Sequence, residues 1–242
     1  MSGIESVDVM ASPAIHQSVR GPMNSPAPAP GSTDRTRSRR LADHAVTERA
    51  ALHAVLDAAL VAHVAITGQD GQPFVLPVAY ARDGERLLIH GSTGSRLFRG
   101  LAAGAPTCLT VTLLDGLVLA RSAFESSMHY RSAMVLGSCT VVPDADKVAA
   151  LDLLTDHLLP GRRPQLRPHS AKELAATLVL ALPLDEASVK ISHDAPNDDA
   201  ADLDTPIWAG VVPITEHFGE PVPAPDLRFD LEAPDHLRTW TR

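Results

Sequence analysis

Residues 88–99 read Leu-Ile-His-Gly-Ser-Thr-Gly-Ser-Arg-Leu-Phe-Arg, and residues 127–137 read Ser-Met-His-Tyr-Arg-Ser-Ala-Met-Val-Leu-Gly. The first segment has the pattern of a strand that runs into a loop of small residues and then into a helix whose opening turn holds Ser95 and Arg96. Such a place suits an anion. First-turn N–H groups have no intrahelical partner and carry the positive end of the helix dipole. Ser92, Thr93 and Ser95 add hydroxyl donors, and Arg96 and Arg99 add charge-assisted ones. Arg131 and Ser132 of the second segment are the groups that complete a phosphate cradle. The bland alternative is that Gly-Ser-Thr-Gly punctuates a strand-to-helix turn, with Ser95 a plain N-cap.

The elements that position these residues follow from periodicity. Helical spacing of Ala45, Leu52, Val55, Leu56, Ala59 and Leu60 predicts a helix over 43–60, with Thr47 or Asp43 as cap. Strands are expected over 61–67, 73–82 and 86–90, separated by the turn signals Gln-Asp-Gly-Gln (69–72) and Asp-Gly (83–84). A short helix over 95–103 stops at Gly104, and Pro106 forbids its continuation. Two long β-rich runs cover 107–121 and 128–142, a helix 144–159, a further helix 171–178 and a last strand 179–191. Antiparallel strands with single interspersed helices favour a closed or partly closed β-barrel over a doubly wound parallel sheet.

Composition narrows the function. The 242 residues are 45% hydrophobic, enough for a real core, and 4% aromatic, which argues against a stacking platform for single-stranded nucleic acid. The net charge of −8 disfavours a nucleic-acid backbone, and the eleven acidic and three basic side chains of residues 194–242 account for all of it. The stretch 194–204 reads as a solvated connection, with a lid as the other reading. Cys108 and Cys139 lack disulfide or metal spacing and read as reduced core thiols, hence a cytoplasmic setting with no membrane span and no metal site. Residues 1–42 are Pro-, Ser- and Ala-rich and end in the basic cluster Arg35, Arg37, Arg39 and Arg40; they read as a disordered tail, with nucleotide contact as the less favoured role of the cluster.

Taken in order, the segments Gln72-Pro-Phe-Val-Leu-Pro77-Val-Ala-Tyr80, Leu88-Ile-His90-Gly91-Ser92, Ser95-Arg96, His129-Tyr130-Arg131-Ser132-Ala133, Val189-Lys190 and Trp208-Ala-Gly-Val-Val-Pro213 resemble the pyridoxamine 5′-phosphate oxidase-like flavoproteins of the FMN-binding split-barrel fold, nearest the nitroimidazole-resistance subgroup. The resemblance implies a mainly β chain with peripheral helices: a split-barrel domain over 43–222 and a C-terminal extension over 223–242. It implies a homodimer with FMN held between subunits. Ser92, Ser95 and Arg96 would meet the phosphate, and Pro77, Val78 and Tyr80 would line the ring edge through the backbone. Tyr130, Arg131 and Ser132 would flank phosphate or ribityl, Lys190 would face a ligand, and Trp208 would come from the partner chain.

The activity implied is that of an FMN-dependent oxidoreductase acting on a small organic substrate. Alternatives are a haem-binding or haem-handling protein and a non-catalytic flavin binder. His90, at a strand end beside the loop, matches a functional histidine of the subgroup, and an imidazole of ordinary pKa near 6.5 can deliver a proton; closing the strand end is its structural alternative. His53 and His63 read as packing residues. The family's arginine after Lys190 is absent, Ile191 standing there, which points to an altered substrate end of the pocket.

Overall fold

The computed structural model describes residues 27–40 and 42–240. Ten strands form one antiparallel sheet: β1 (Ala45–Val46), β2 (Val61–Thr67), β3 (Pro73–Asp83), β4 (Arg86–Ser92), β5 (Pro106–Leu119), β6 (Ser127–Ser138), β7 (Thr140–Val141), β8 (Thr177–Pro183), β9 (Glu186–Ser192) and β10 (Gly210–Pro213). The spatial order is β1-β9-β6-β5-β2-β3-β4-β8-β7, and β10 pairs with β5. Four helices attend it: α1 (Arg49–Ala58), α2 (Arg96–Ala102), α3 (Asp144–Leu158) and α4 (Ala171–Ala176). This is the antiparallel split barrel expected.

Alternation explains which face is which. On β2, Ala62, Val64 and Ile66 are buried, whereas Val61, His63 and Thr67 are exposed, the two-residue period of a half-buried strand. The inward set joins Leu52, Val55 and Leu56 of α1, Leu97 and Leu101 of α2, and Leu109, Val135 and Leu182 in the main core. A second core forms on the other side of β3, β4 and β8, where Ala81, Leu88, Val179 and Ala181 meet Ala150, Leu151 and Leu154 of α3. β4 therefore buries both faces through Leu87, Leu88 and Ile89 before its exposed end at His90.

Three expectations are corrected. The helix expected over 43–60 begins only at Arg49, because Ala45 and Val46 pair with Lys190 and Val189 of β9; backbone pairing there outweighs helical propensity. The strand expected over 179–191 is a hairpin, β8 and β9, turning at Leu184 and Asp185, a short turn without Gly at the end of an apolar run. Residues 27–40, expected to belong to the disordered tail, lie against β9: the Gly31 N–H donates to the Ala187 carbonyl at 2.7 Å, and Arg35 pairs with Glu186. The remainder of that tail, residues 1–26, lies outside the described residues.

Candidate functional site

β4 delivers His90 and Ser92 to one end of the sheet, and a tight loop then turns into α2. The Ser92 Oγ accepts from the Gly94 N–H at 3.1 Å, and the Ser92 carbonyl accepts from the Ser95 N–H at 3.0 Å. The first intrahelical bond of α2 runs from the Arg99 N–H to the Ser95 carbonyl at 3.0 Å, so the amides of residues 96–98 lead the helix. Ser95 stands at the N-cap without a side-chain cap bond, leaving its hydroxyl for another acceptor or donor. Gly91 permits the loop: a Cβ there would lie 2.3 Å from the Phe98 ring.

Arg96 is held in place. Its guanidinium carbon lies 4.6 Å from the centroid of the Phe74 ring, a cation–π contact that joins the start of α2 to the start of β3. Arg96, Arg99, Phe74 and Ile66 border a cavity of about 860 Å³ beside the β2–β3 turn. Phe74 stands in the segment Gln72–Tyr80 that carried the resemblance but was given no role of its own there; its place opposite Ile66 on β2 emerges only with the register.

The expected site residues separate into groups. Pro77 and Val78 lie on β3 opposite His63 and Ala62 of β2, whereas His90 and Ser92 lie at the end of β4, past the Tyr80–Ile89 pair of the β3–β4 ladder, with Ser95 and Arg96 in the loop and helix that follow. Tyr80 is fully buried, and its hydroxyl donates to the Leu56 carbonyl, so its side chain serves the core and its backbone alone is left for the role the resemblance implies. Tyr130, Arg131 and Ser132 lie on β6 and Lys190 on β9, with Ser132 directly opposite Lys190. Those strands are separated from β4 by β5, β2 and β3. Arg131 is engaged as well, its guanidinium donating twice to Asp115, each at 2.8 Å; that hydrogen bonding raises its pKa further. Trp208 stands 66% exposed just before β10.

His90 borders a second, smaller cavity of about 290 Å³, walled by Leu151, Leu154 and Leu158 of α3, Leu174 and His169. One edge of the ring reaches solvent, yet the surrounding protein desolvates it and lowers its pKa below the usual 6.5, so the imidazole is neutral at pH 7. His63, expected to pack inside, is instead exposed on β2, directly opposite Pro77. His53 keeps its structural role, its Nε2 lying 3.1 Å from Glu85. Among the described residues no cluster of three or more His, Cys, Asp or Glu could hold a metal ion, and no helix is long and apolar enough to cross a membrane.

The acidic stretch is tied down rather than solvated throughout. Asp198, 1% exposed at its side chain, accepts from the Arg121 N–H at 2.6 Å and from its guanidinium at 2.8 Å. The C-terminal residues also dock: the Trp240 indole donates to the Pro160 carbonyl at 3.0 Å and meets Phe218 edge-on at 5.4 Å.

The fold is shared by solved structures. The FAD and haem binding protein from Mycobacterium smegmatis is 46% identical, over 82% of this chain and 97% of its own, with a TM-score of 0.78. The flavocytochrome Anf3 from Azotobacter vinelandii is 40% identical over 89% of this chain and 99% of its own, at 0.81. A candidate 5-nitroimidazole antibiotic resistance protein from Bacteroides thetaiotaomicron shares the fold at 21% identity, covering 61% of this chain and 86% of its own, at 0.53. Comparison with curated proteins gives no match. Residues 48–191, from the start of α1 through β9, match the family model described as pyridoxamine 5′-phosphate oxidase, and the chain belongs to that family.

Proposed function

We propose that this protein is a flavin-dependent oxidoreductase acting on a small organic substrate, with the FMN moiety, whether as FMN itself or as part of FAD, seated at the loop between β4 and α2. The observation that carries the reading is the loop itself: the Ser92 and Ser95 hydroxyls and the leading amides of α2 stand next to Arg96 in the chain, and Arg96, fixed over Phe74, borders a cavity of about 860 Å³ that Ile66 also lines. Donors placed to hold an anion beside an apolar wall are what a flavin's phosphate and ring require. The likeness to the FAD and haem binding protein and to the flavocytochrome supports it. A bound flavin supplies hydride or electron-pair transfer; Pro77 and Val78 position its ring edge, and His90 moves the proton.

The proposal includes a homodimer in the cytoplasm, the second subunit bringing Trp208 to the site. Val61, Val75, Leu114 and Leu117 stand 44–54% exposed on strands β2, β3 and β5, apolar side chains that a second subunit would cover. Sedimentation of the purified protein tests this part.

A second reading adds haem. His90 is kept neutral, the state in which imidazole binds iron, and it faces leucine walls. The 290 Å³ between those walls lies at the lower end of ligand cavities and admits an edge of a macrocycle rather than all of it. The deciding measurement is the ultraviolet–visible spectrum of purified protein before and after adding FMN or FAD, with the released chromophore identified by mass. Flavin bands support the first reading, and a Soret band lost in a His90→Ala variant adds the second. Protein that stays colourless with either flavin overturns both.

A further inference from the structure

The C-terminal residues fold back on the end of α3 and border a cavity of about 560 Å³ there. Asp57 and His157 stand on its barrel side, and Phe218, His236 and Trp240 on the other. The last three follow β10 in the sequence and lie apart from every residue of the Arg96 loop.

Phe, Trp and Tyr make up only 4% of the chain, so two of them and two imidazoles on one cavity gather rings where few are available. Trp240 stands edge-on to Phe218, their centroids 5.4 Å apart at 71°, and lies 6.2 Å from the His236 ring. Its indole N–H is already donated to the Pro160 carbonyl, so it offers the cavity ring surface rather than a donor. Other polar groups are engaged as well. Asp57 accepts twice from Arg82, at 2.8 and 2.6 Å, and the His157 Nε2 donates to the Ala59 carbonyl at 2.9 Å. Walls of this kind hold no free charge for an ion and suit a flat, uncharged ring.

The exception is the Nε2 of His236, which is buried without a hydrogen-bond partner. An unmade bond on a buried polar group is costly and calls for a reason. Gly161, left-handed at φ 78°, leaves space beside that ring: a Cβ there would lie 3.1 Å from the His236 Cδ2. A small turn of the imidazole into this space presents Nε2 to the cavity.

We propose that this cavity binds a neutral aromatic alcohol of one or two fused rings, packed against Trp240 and Phe218 with its hydroxyl on the His236 Nε2. A hydroxyl both donates and accepts, so it pairs with either tautomer of a neutral imidazole. The volume lies within the range of small-molecule sites. The site does not depend on the flavin reading.

Calorimetric titration of the full chain with 2-naphthol, and with naphthalene as the same ring without its hydroxyl, tests the site. 2-Naphthol should bind the parent protein. His236→Phe keeps a ring but removes the nitrogen; it should weaken 2-naphthol about three- to tenfold, the range of one lost hydrogen bond, and leave naphthalene within about twofold. Trp240→Ala should weaken both probes by about threefold or more. His236 is half-buried, and an unchanged thermal midpoint of His236→Phe certifies the fold. Saturating FMN should leave the 2-naphthol affinity unchanged, which separates this cavity from a flavin pocket. A parent that does not bind 2-naphthol, a His236→Phe variant that binds it as tightly as the parent, or displacement by FMN overturns the proposal. Protein that takes up no flavin overturns the earlier reading and leaves these titrations as they stand.

Discussion

The Arg96 guanidinium lies over the Phe74 ring, 4.6 Å from its centroid, so a residue at the start of β3 orients the charge at the start of α2. Arg96→Ala is expected to weaken FMN binding about 10- to 150-fold, the equivalent of about 1.5–3 kcal/mol for a charge-assisted contact. Phe74→Leu keeps the charge but removes its platform, and should weaken binding only about two- to fivefold, near the ~0.5–1 kcal/mol of an exposed cation–π contact. Quenching of flavin fluorescence measures both. A change under threefold in Arg96→Ala removes that residue from the phosphate site.

His90→Ala should leave FMN affinity within about twofold and lower turnover on the order of 10²-fold, the lower range for a lost proton donor or acceptor. The pH dependence of stability has a definite sign. Desolvation lowers the pKa of His90 in the fold, so below about pH 6.5 the unfolded chain takes up the proton more readily. His90 therefore contributes stability above the unfolded pKa, and that contribution is lost as pH falls through the lower folded pKa. Thermal melts of the protein and of His90→Gln across pH 5–8 should show a shallower acid loss in the variant.

Asp198→Ala should cost about 3 kcal/mol in denaturant unfolding, since it leaves the half-buried Arg121 without its carboxylate. Arg121→Ala/Asp198→Ala should cost less than the two single changes added together. Additive costs show that the two residues act independently.

Burial pushes the Cys139 thiol up to about 11, leaving roughly one part in 10⁴ as thiolate at pH 7. Cys108, half-buried, is raised by the same cause. Iodoacetamide should label Cys108 first and Cys139 only once the fold opens. Equal labelling rates in native protein contradict the burial of Cys139.

Gly91→Ala drives a methyl group into the Phe98 ring and should lower stability by about 1–3 kcal/mol. Adding Phe98→Leu makes room and should return part of the loss. A thermal midpoint unchanged by Gly91→Ala shows that α2 shifts freely on β4.

Periodicity and turn signals made β2, β3, β4 and α3 legible to within about two residues: β2 alternates cleanly, Asp83-Gly84 separates β3 from β4, and α3 has apolar residues at helical spacing and ends before Pro160. The β8–β9 hairpin escaped because its two-residue turn, Leu184-Asp185, has no Gly and β8 enters it through the apolar run Leu178–Leu182. Ser92, Ser95 and Arg96 were visible as a local motif. The engagement of Arg131 by Asp115 was not, since those residues meet across a ladder whose register a linear reading does not supply. Tyr80 illustrates the same gap: its hydroxyl finds the Leu56 carbonyl only after α1 has settled on β3. The Arg121–Asp198 tie depends on a fold-back of 77 residues, and five aspartates in a row of polar residues hold no hint of which one is buried.

Strand β1 closes the sheet by pairing Ala45 with Lys190, and residues 30–40 find their footing only on β9. During translation the early chain must therefore wait for most of the remainder to emerge, on the order of ten to thirty seconds at ordinary ribosomal speeds. Through that interval the four-arginine segment is free and β9's future edge does not yet exist. Such non-local closure slows folding, and it makes the docking of residues 30–40 on β9 among the last contacts a newborn molecule acquires.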